Sequence, residues 1–270
     1  MRNVVAGSVA FCNSSPLSLI AGPCVIESEE HVQRMVALIR AAVSLFVFKA
    51  SFDKANRSSV KSYRGLGLTE GIRILKGVRR LGIPVVTDIH EPAQAEIAAE
   101  GVDILQIPAF LCRQTDLLVA AGRTGRVVNI KKGQFVSPVD IAHAAEKVAS
   151  TGNDNILLTE RGSSFGYNNL VVDMRGLKIM ADTGYPVVFD ATHSVQLPGA
   201  AGSSSGGQPE FIEPLARAAT AVGIAGIFVE VHDQPEKALS DGANSLRAGL
   251  LAEFWRRMKE LDGVVKDWAT

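Results

Sequence analysis

Val127-Val128-Asn129-Ile130-Lys131 is an almost unbroken apolar run that ends on a cation. The loop Lys132-Gly133-Gln134-Phe135-Val136 follows, then Ser137-Pro138 and a stretch of helical periodicity to about residue 150. A short run that is apolar on both faces suits a strand of a parallel sheet, which is covered from two sides. Serine before proline is a helix start, because the hydroxyl caps free N–H groups and proline's fixed φ suits the first helical position. The same unit of strand, polar loop and amphipathic helix recurs eight times along the chain. Strands are expected at 17–22, 45–51, 84–89, 103–108, 127–131, 156–160, 186–190 and 224–231. Helices are expected at about 29–43, 69–81, 92–100, 114–122, 138–150, 173–183, 210–222 and 244–262. Thr69-Glu70 marks another helix start, and Gly82 and Gly184 fall where C-cap glycines belong. Eight such units predict an α/β fold, a closed (β/α)8 TIM barrel, rather than an open doubly wound sheet. Met1–Phe11 reads as a short N-terminal β segment, an edge strand or a hairpin. No linker-like stretch divides the chain, so residues 1–270 are expected to form one domain.

The bulk properties agree and exclude several partners. The 270 residues match one such barrel, for which about 250 is typical. The formal net charge is zero, so no basic excess exists to neutralise a nucleic acid. No apolar run reaches the roughly 18 residues of a membrane span. Three scattered cysteines, Cys12, Cys24 and Cys112, are too few for a disulfide framework and fit a reducing cytoplasm. Gly65-Leu66-Gly67 lacks the spacing and the preceding strand of a dinucleotide loop. The Gly/Ser-rich segment 199–208 falls between the seventh strand and its helix, where a barrel carries lids or slack loops.

Polar residues collect at the strand C-termini, the face on which barrel enzymes carry their chemistry. The run Phe48-Lys49-Ala50-Ser51-Phe52-Asp53-Lys54-Ala55-Asn56-Arg57-Ser58-Ser59 sets cations, an amide and hydroxyls where a buried strand surfaces. That suits an anion better than a solvated loop does. Lys131 and Arg161 join Lys49, Lys54 and Arg57 in a positive focus inside a neutral protein. The bland alternative is salt bridging to Asp53, Asp88 or Glu160. Cys24, His193, Glu230 and Asp241 form a second subset of thiol, imidazole and two carboxylates. Such a mixed set suits Zn²⁺, Fe²⁺ or Mn²⁺ better than an all-oxygen Ca²⁺ or Mg²⁺ cage. His90 and His232 are rival ligands or outer partners, whereas His31 and His143 lie in helical stretches and read as solvated or capping.

At these residues the chain resembles the 3-deoxy-D-manno-octulosonate 8-phosphate synthase family. The resemblance is carried by Lys49-Ala50-Ser51-Phe52-Asp53-Lys54-Ala55-Asn56-Arg57-Ser58-Ser59, Thr87-Asp88-Ile89-His90-Glu91-Pro92 and Gln106-Ile107-Pro108-Ala109-Phe110-Leu111. It continues through Asn129-Ile130-Lys131-Lys132-Gly133-Gln134-Phe135, Glu160-Arg161-Gly162 and Phe189-Asp190-Ala191-Thr192-His193. The related heptulosonate synthases typically carry Lys-Pro-Arg-Thr where this chain has Lys54-Ala55-Asn56-Arg57-Ser58. The resemblance implies condensation of phosphoenolpyruvate with arabinose 5-phosphate, a step toward lipopolysaccharide, by a cytoplasmic homotetramer. It implies binding roles for Lys49, Ser51, Asp88, Gln106, Pro108, Ala109, Phe110, Lys131 and Arg161. Within that set Lys131 and Arg161 would take the phosphoenolpyruvate phosphate, and Asn56, Arg57 and Ser58 the sugar phosphate. Lys54 is implied at the reacting aldehyde. Metal-free members have asparagine in place of Cys24, so the resemblance is to the metal-dependent class. It makes Cys24, His193, Glu230 and Asp241 the ligands of a divalent transition metal (Zn, Fe, Mn or Co), with Cys24, His193 and Asp241 also catalytic. Asp241-Gly242-Ala243 departs from the frequent Asp-Gly-Pro and is expected to alter the loop while keeping the carboxylate.

Overall fold

Eight short strands, buried throughout except at Ser18, run parallel and close on themselves. They are β1 (Ser18–Gly22), β2 (Val47–Lys49), β3 (Val85–Asp88), β4 (Ile104–Ile107), β5 (Val127–Lys131), β6 (Ile156–Glu160), β7 (Val187–Asp190) and β8 (Gly226–His232). Closure is made where Asp190 of β7 pairs with Phe228 of β8, and Phe228 with Ile20 of β1. The computed structural model describes residues 1–57, 59–199 and 206–268. Helices α1 (Glu29–Ala42), α2 (Leu68–Arg80), α3 (Gln94–Ala99), α4 (Thr115–Arg123), α5 (Ile141–Ala149), α6 (Arg175–Ala181), α7 (Ile212–Val222) and α8 (Leu251–Asp267) follow strands β1 to β8 in turn. The fold is the expected (β/α)8 barrel.

Strand alternation divides the apolar residues between two compartments. Leu19, Phe48, Leu105, Val128, Leu158 and Phe189 face outward and pack beneath the helices. Ile20, Val47, Val86, Ile104, Val127, Leu157 and Val188 face inward and fill the lower barrel. That lower end is plugged by the hairpin Val4–Ala6 with Val9–Phe11, whose Val4, Val9 and Phe11 are buried against the same inward residues. The N-terminal segment is thus a hairpin with a packing role.

Local chemistry explains the element ends. Ser28 Oγ accepts the His31 amide at the start of α1, and Ser137 Oγ accepts the Asp140 amide although regular helix begins only at Ile141. Gly82 and Gly184 adopt φ of +78° and +85° after α2 and α6, as left-handed caps require. The largest departure concerns the final helix, expected at 244–262 and found at 251–267. Residues 242–250 instead make two 3-10 turns flanking Leu246–Arg247, which pairs with β8. Among the described residues no helix is long and apolar enough to cross a membrane.

Candidate active site and metal centre

Above the apolar plug the inward positions turn polar, with Lys49, Asp88, Gln106, Asn129, Thr159, Asp190 and Glu230 near the strand ends. They form one layer. Thr159 donates to Asn129 Oδ1 at 2.6 Å, Asn129 Nδ2 to Gln106 Oε1 at 2.9 Å, and Gln106 Nε2 to Asp88 Oδ1 at 2.5 Å. Ser51 Oγ donates to the other Asp88 oxygen at 2.5 Å, and Lys54 Nζ lies 3.8 Å from that oxygen. Burial alone would push the Asp88 carboxyl up, but Lys54, Lys49 and the Ser51 hydrogen bond hold it well below the usual carboxylate range. Burial likewise opposes the charge on Lys54, yet the carboxylates of Asp88, Glu230 and Asp241 help keep that lysine protonated.

The layer floors a cavity of about 180 Å³ at the C-terminal end of the barrel. Of the residues expected to bind substrate, Lys49, Asn56, Arg57, Asp88, Gln106 and Pro108 line it. So do Ala109, Phe110, Lys131 and Arg161, together with Lys54. Ser51 sits behind the wall through its bond to Asp88, and Ser58 lies outside the described residues. The two cations from β5 and β6 are nearly fully enclosed. Burial lowers the proton affinity of Lys131 despite its ion pair with Asp190, and that of Arg161 despite Asp190 and Glu160. Arg161 Nη2 reaches Gln196 Oε1 at 3.0 Å, while its buried Nη1 has no partner among the described residues. Arg57 Nε is also buried without a partner. Charged donors left unpaired in a cavity mark an anion site, since their desolvation goes otherwise uncompensated.

Salt bridging explains only part of the positive focus. Asp53 pairs with Arg64, and Glu160 lies 3.6 Å from Lys132 while accepting the amides of Arg161 and Gly162. Neither neutralises the pocket cations directly. Lys49 is paired instead with Glu230 at 2.5 Å, and its ammonium also donates to the Cys24 carbonyl at 2.7 Å. Gly22 permits this approach, because a Cβ there would lie 2.0 Å from the Lys49 carbonyl oxygen.

Four ligand-type side chains converge beside that pair. Ligand atoms of Cys24, Glu230 and Asp241 lie within 4.8 Å of one another. His193 Nε2 lies 3.7 Å from Glu230 Oε1 and 4.0 Å from Asp241 Oδ2. Its other nitrogen, Nδ1, is 2.7 Å from Asp190 Oδ2, the outer-carboxylate arrangement that turns an imidazole toward a metal. Glu230 Oε2 is buried without a hydrogen-bond partner among the described residues. Cys24 Sγ contacts Asp241 Oδ2 at 3.1 Å, and burial with the two neighbouring carboxylates pushes its thiol up. An unsatisfied oxygen within a thiol, imidazole and carboxylate set fits a borderline transition ion. Asp241 itself holds a left-handed backbone at φ +50°, a conformation aspartate tolerates better than most residues.

Sequence reasoning gave no role to several residues that organise this site. Asp190 accepts from Thr192 and the His193 amide through one oxygen and meets Lys131 and His193 Nδ1 through the other. Ser240 Oγ bridges Cys24 Sγ at 3.0 Å and Arg57 Nη1 at 2.7 Å. Gln196 and the Lys132–Glu160 pair complete the set. Asp190, three residues before His193, and Glu160, a salt-bridge candidate beside Arg161, carried a signal; Ser240 and Gln196 carried none. The expected lid has a described base, where Gln196–Leu197 pairs with Gly206–Gly207; residues 200–205 lie outside the described residues. His31, read as solvated or capping, is instead buried at 3% exposure because it points inward from the first turn of α1.

The sequence matches the family described as DAHP synthetase I over residues 4–267. A protein of Syntrophotalea carbinolica named 2-dehydro-3-deoxyphosphooctonate aldolase is 60% identical, over 96% of this chain and 95% of its own. Proteins of the same name from Pelobacter propionicus and Geobacter sulfurreducens are each 57% identical, over 98% of this chain and 99% of theirs.

Proposed function

The chain belongs to the DAHP synthetase I family, and on that footing we propose how its pocket works. The reaction is condensation of phosphoenolpyruvate with arabinose 5-phosphate and water, giving 3-deoxy-D-manno-octulosonate 8-phosphate and inorganic phosphate. It supplies a lipopolysaccharide precursor. The observation that carries this reading is the pair of guanidinium groups, Arg161 and Arg57, on separate loops of one cavity, each with a buried N–H lacking a partner. Two substrates with a phosphate each answer that need.

Lys131 and Arg161 hold the phosphoenolpyruvate phosphate, with Lys49 and the Pro108-Ala109 turn nearby. Asn56, Arg57 and Ser58 take the phosphate of the sugar, which aligns its aldehyde with the vinyl carbon. Such alignment replaces encounter entropy and supplies several kcal/mol. C3 of phosphoenolpyruvate attacks the aldehyde carbon, and the carbonyl electron pair becomes an oxyanion stabilised by the charged Lys54 ammonium. Water adds at C2, and the proton it loses balances the one that Lys54 delivers to the alkoxide, leaving a hydroxyl there and the lysine recharged. The hemiketal phosphate then breaks its C2–O bond, releasing inorganic phosphate and leaving the ketone. A divalent transition ion held by Cys24, His193, Glu230 and Asp241 supplies Lewis-acid polarisation of an oxygen at this position. The protein acts as one barrel domain, in the cytoplasm, as a homotetramer.

Mass spectrometry of the product tests the reaction: one eight-carbon acid phosphate is expected per phosphate released, and phosphate release without it would contradict the assignment. For the ion, a chelator is expected to abolish turnover, with Mn²⁺, Co²⁺, Fe²⁺ or Zn²⁺ restoring it to differing degrees. Full turnover by metal-stripped protein would show that no ion is needed.

A further inference from the structure

A second group of ligand-type side chains lies between the loop after β1 and the loop after β8, and the condensation gives it no task. Glu27, His31 and His232 bring a carboxylate oxygen and two ring nitrogens within 4.8 Å of one another. Both histidines are buried, at 3% and 5% exposure. Asp233 Oδ1 lies 3.2 Å from His31 Nε2 and 3.2 Å from His232 Nδ1. With Nε2 donating to Asp233, His31 Nδ1 is left as a lone pair, whereas His232 Nδ1 accepts the Gln234 amide. Glu27 faces both rings, its Oε2 3.7 Å from His31 Nδ1 and its Oε1 3.2 Å from His232 Nε2. Lone pairs set against a carboxylate repel it unless a cation stands between them. His31 Nδ1 is in fact buried with no hydrogen-bond partner among the described residues. The charge count points the same way. Arg34 Nε pairs with Asp233 Oδ2 at 2.7 Å, whereas among the described residues the ion-pair partners of Glu27 are the two imidazoles.

We propose that Glu27, His31 and His232 form a second site for a divalent cation, with Asp233 as the outer carboxylate that turns His31 toward it. Two imidazoles and a carboxylate suit Zn²⁺ or a neighbouring transition ion. The ion is structural. Glu27 Oε1 also accepts the Leu239 amide at 2.9 Å, so the ion ties the β1 loop, which carries Cys24, to the β8 loop, which carries Asp241. The rival occupant is a proton. The Gln234 amide lies 2.9 Å from His232 Nδ1, and that contact belongs to the tautomer whose Nε2–H donates to Glu27.

Metal content of full-length protein, loaded with Zn²⁺ and dialysed, separates the two. Wild type is expected to hold one equivalent more than His31→Gln, whereas Cys24→Asn keeps the equivalent that His31→Gln loses. The comparison is independent of whether the Cys24 centre binds an ion, because only the histidine variant reports this site. If His31→Gln fails to fold, Co²⁺ added to Cys24→Asn decides: d–d absorption without a sulfur charge-transfer band is expected. Equal zinc in wild type and His31→Gln, or no cobalt bound by Cys24→Asn, would assign the cluster to a proton network and overturn the proposal.

Discussion

Asp88 is the residue on which the polar layer turns, joining Gln106, Ser51 and Lys54. Its carboxyl is depressed in the folded state. Such a group contributes stability above its unfolded pKa of about 3.9, and that contribution is lost as pH falls from there. Asp88→Asn is therefore expected to lower stability near neutrality, by about 3–5 kcal/mol for a broken buried pair. It should also flatten the decline in melting temperature between about pH 5 and 2. A profile parallel to wild type would show that Asp88 titrates normally. Arg57→Lys tests the sugar-phosphate clamp. Losing a charged, forked contact of about 1.5–3 kcal/mol should raise KM for the sugar phosphate some 10- to 100-fold. KM for phosphoenolpyruvate should stay within a few-fold, and steady-state kinetics in each substrate check this. At this scale the cations and ligands were legible because residue type and strand-end position already speak for chemistry. Their partners were not, since Ser240 meets Cys24 and Arg57 across more than 180 residues and only folding sets that distance.

Elements were legible wherever burial imposes a period. All eight barrel strands and the first seven helices fall within a few residues of the positions expected from apolar runs and 3.6-residue spacing. Regularity failed at 242–250, where 3-10 turns and a two-residue strand leave no period to read, and the final helix was consequently set too early. The N-terminal hairpin was legible as a β segment, but its role as a plug was not, because its partners come from eight different strands. Phe11 is fully buried there and packs beside Gly226. Phe11→Ala is expected to cost about 3–5 kcal/mol in denaturant unfolding while leaving both KM values unchanged, as the plug and the cavity lie at opposite barrel ends. A loss below about 1 kcal/mol would mean that the hairpin is dispensable packing.

For the whole molecule, a neutral chain gathers Lys49, Lys54, Arg57, Lys131 and Arg161 on one face and leaves some of their N–H groups unpaired. A ligand that binds only the folded state stabilises it by RT ln(1 + [L]/Kd), about 2.7 kcal/mol at a hundredfold excess over Kd. Phosphoenolpyruvate should therefore raise the melting temperature of wild type and fail to do so in Arg161→Ala; an equal rise in both would place the ligand elsewhere. The family description names heptulosonate chemistry, whereas the relatives at 57–60% identity carry an octonate name, so the acceptor sugar is the point on which the assignment stands. Lys54, Asn56 and Arg57 of the loop proposed to bind that sugar line the cavity. The deciding measurement is phosphate released from phosphoenolpyruvate by the metal-loaded protein, with arabinose 5-phosphate and erythrose 4-phosphate compared at equal concentration. Faster release with the five-carbon sugar is predicted, and preference for the four-carbon sugar would contradict the assignment.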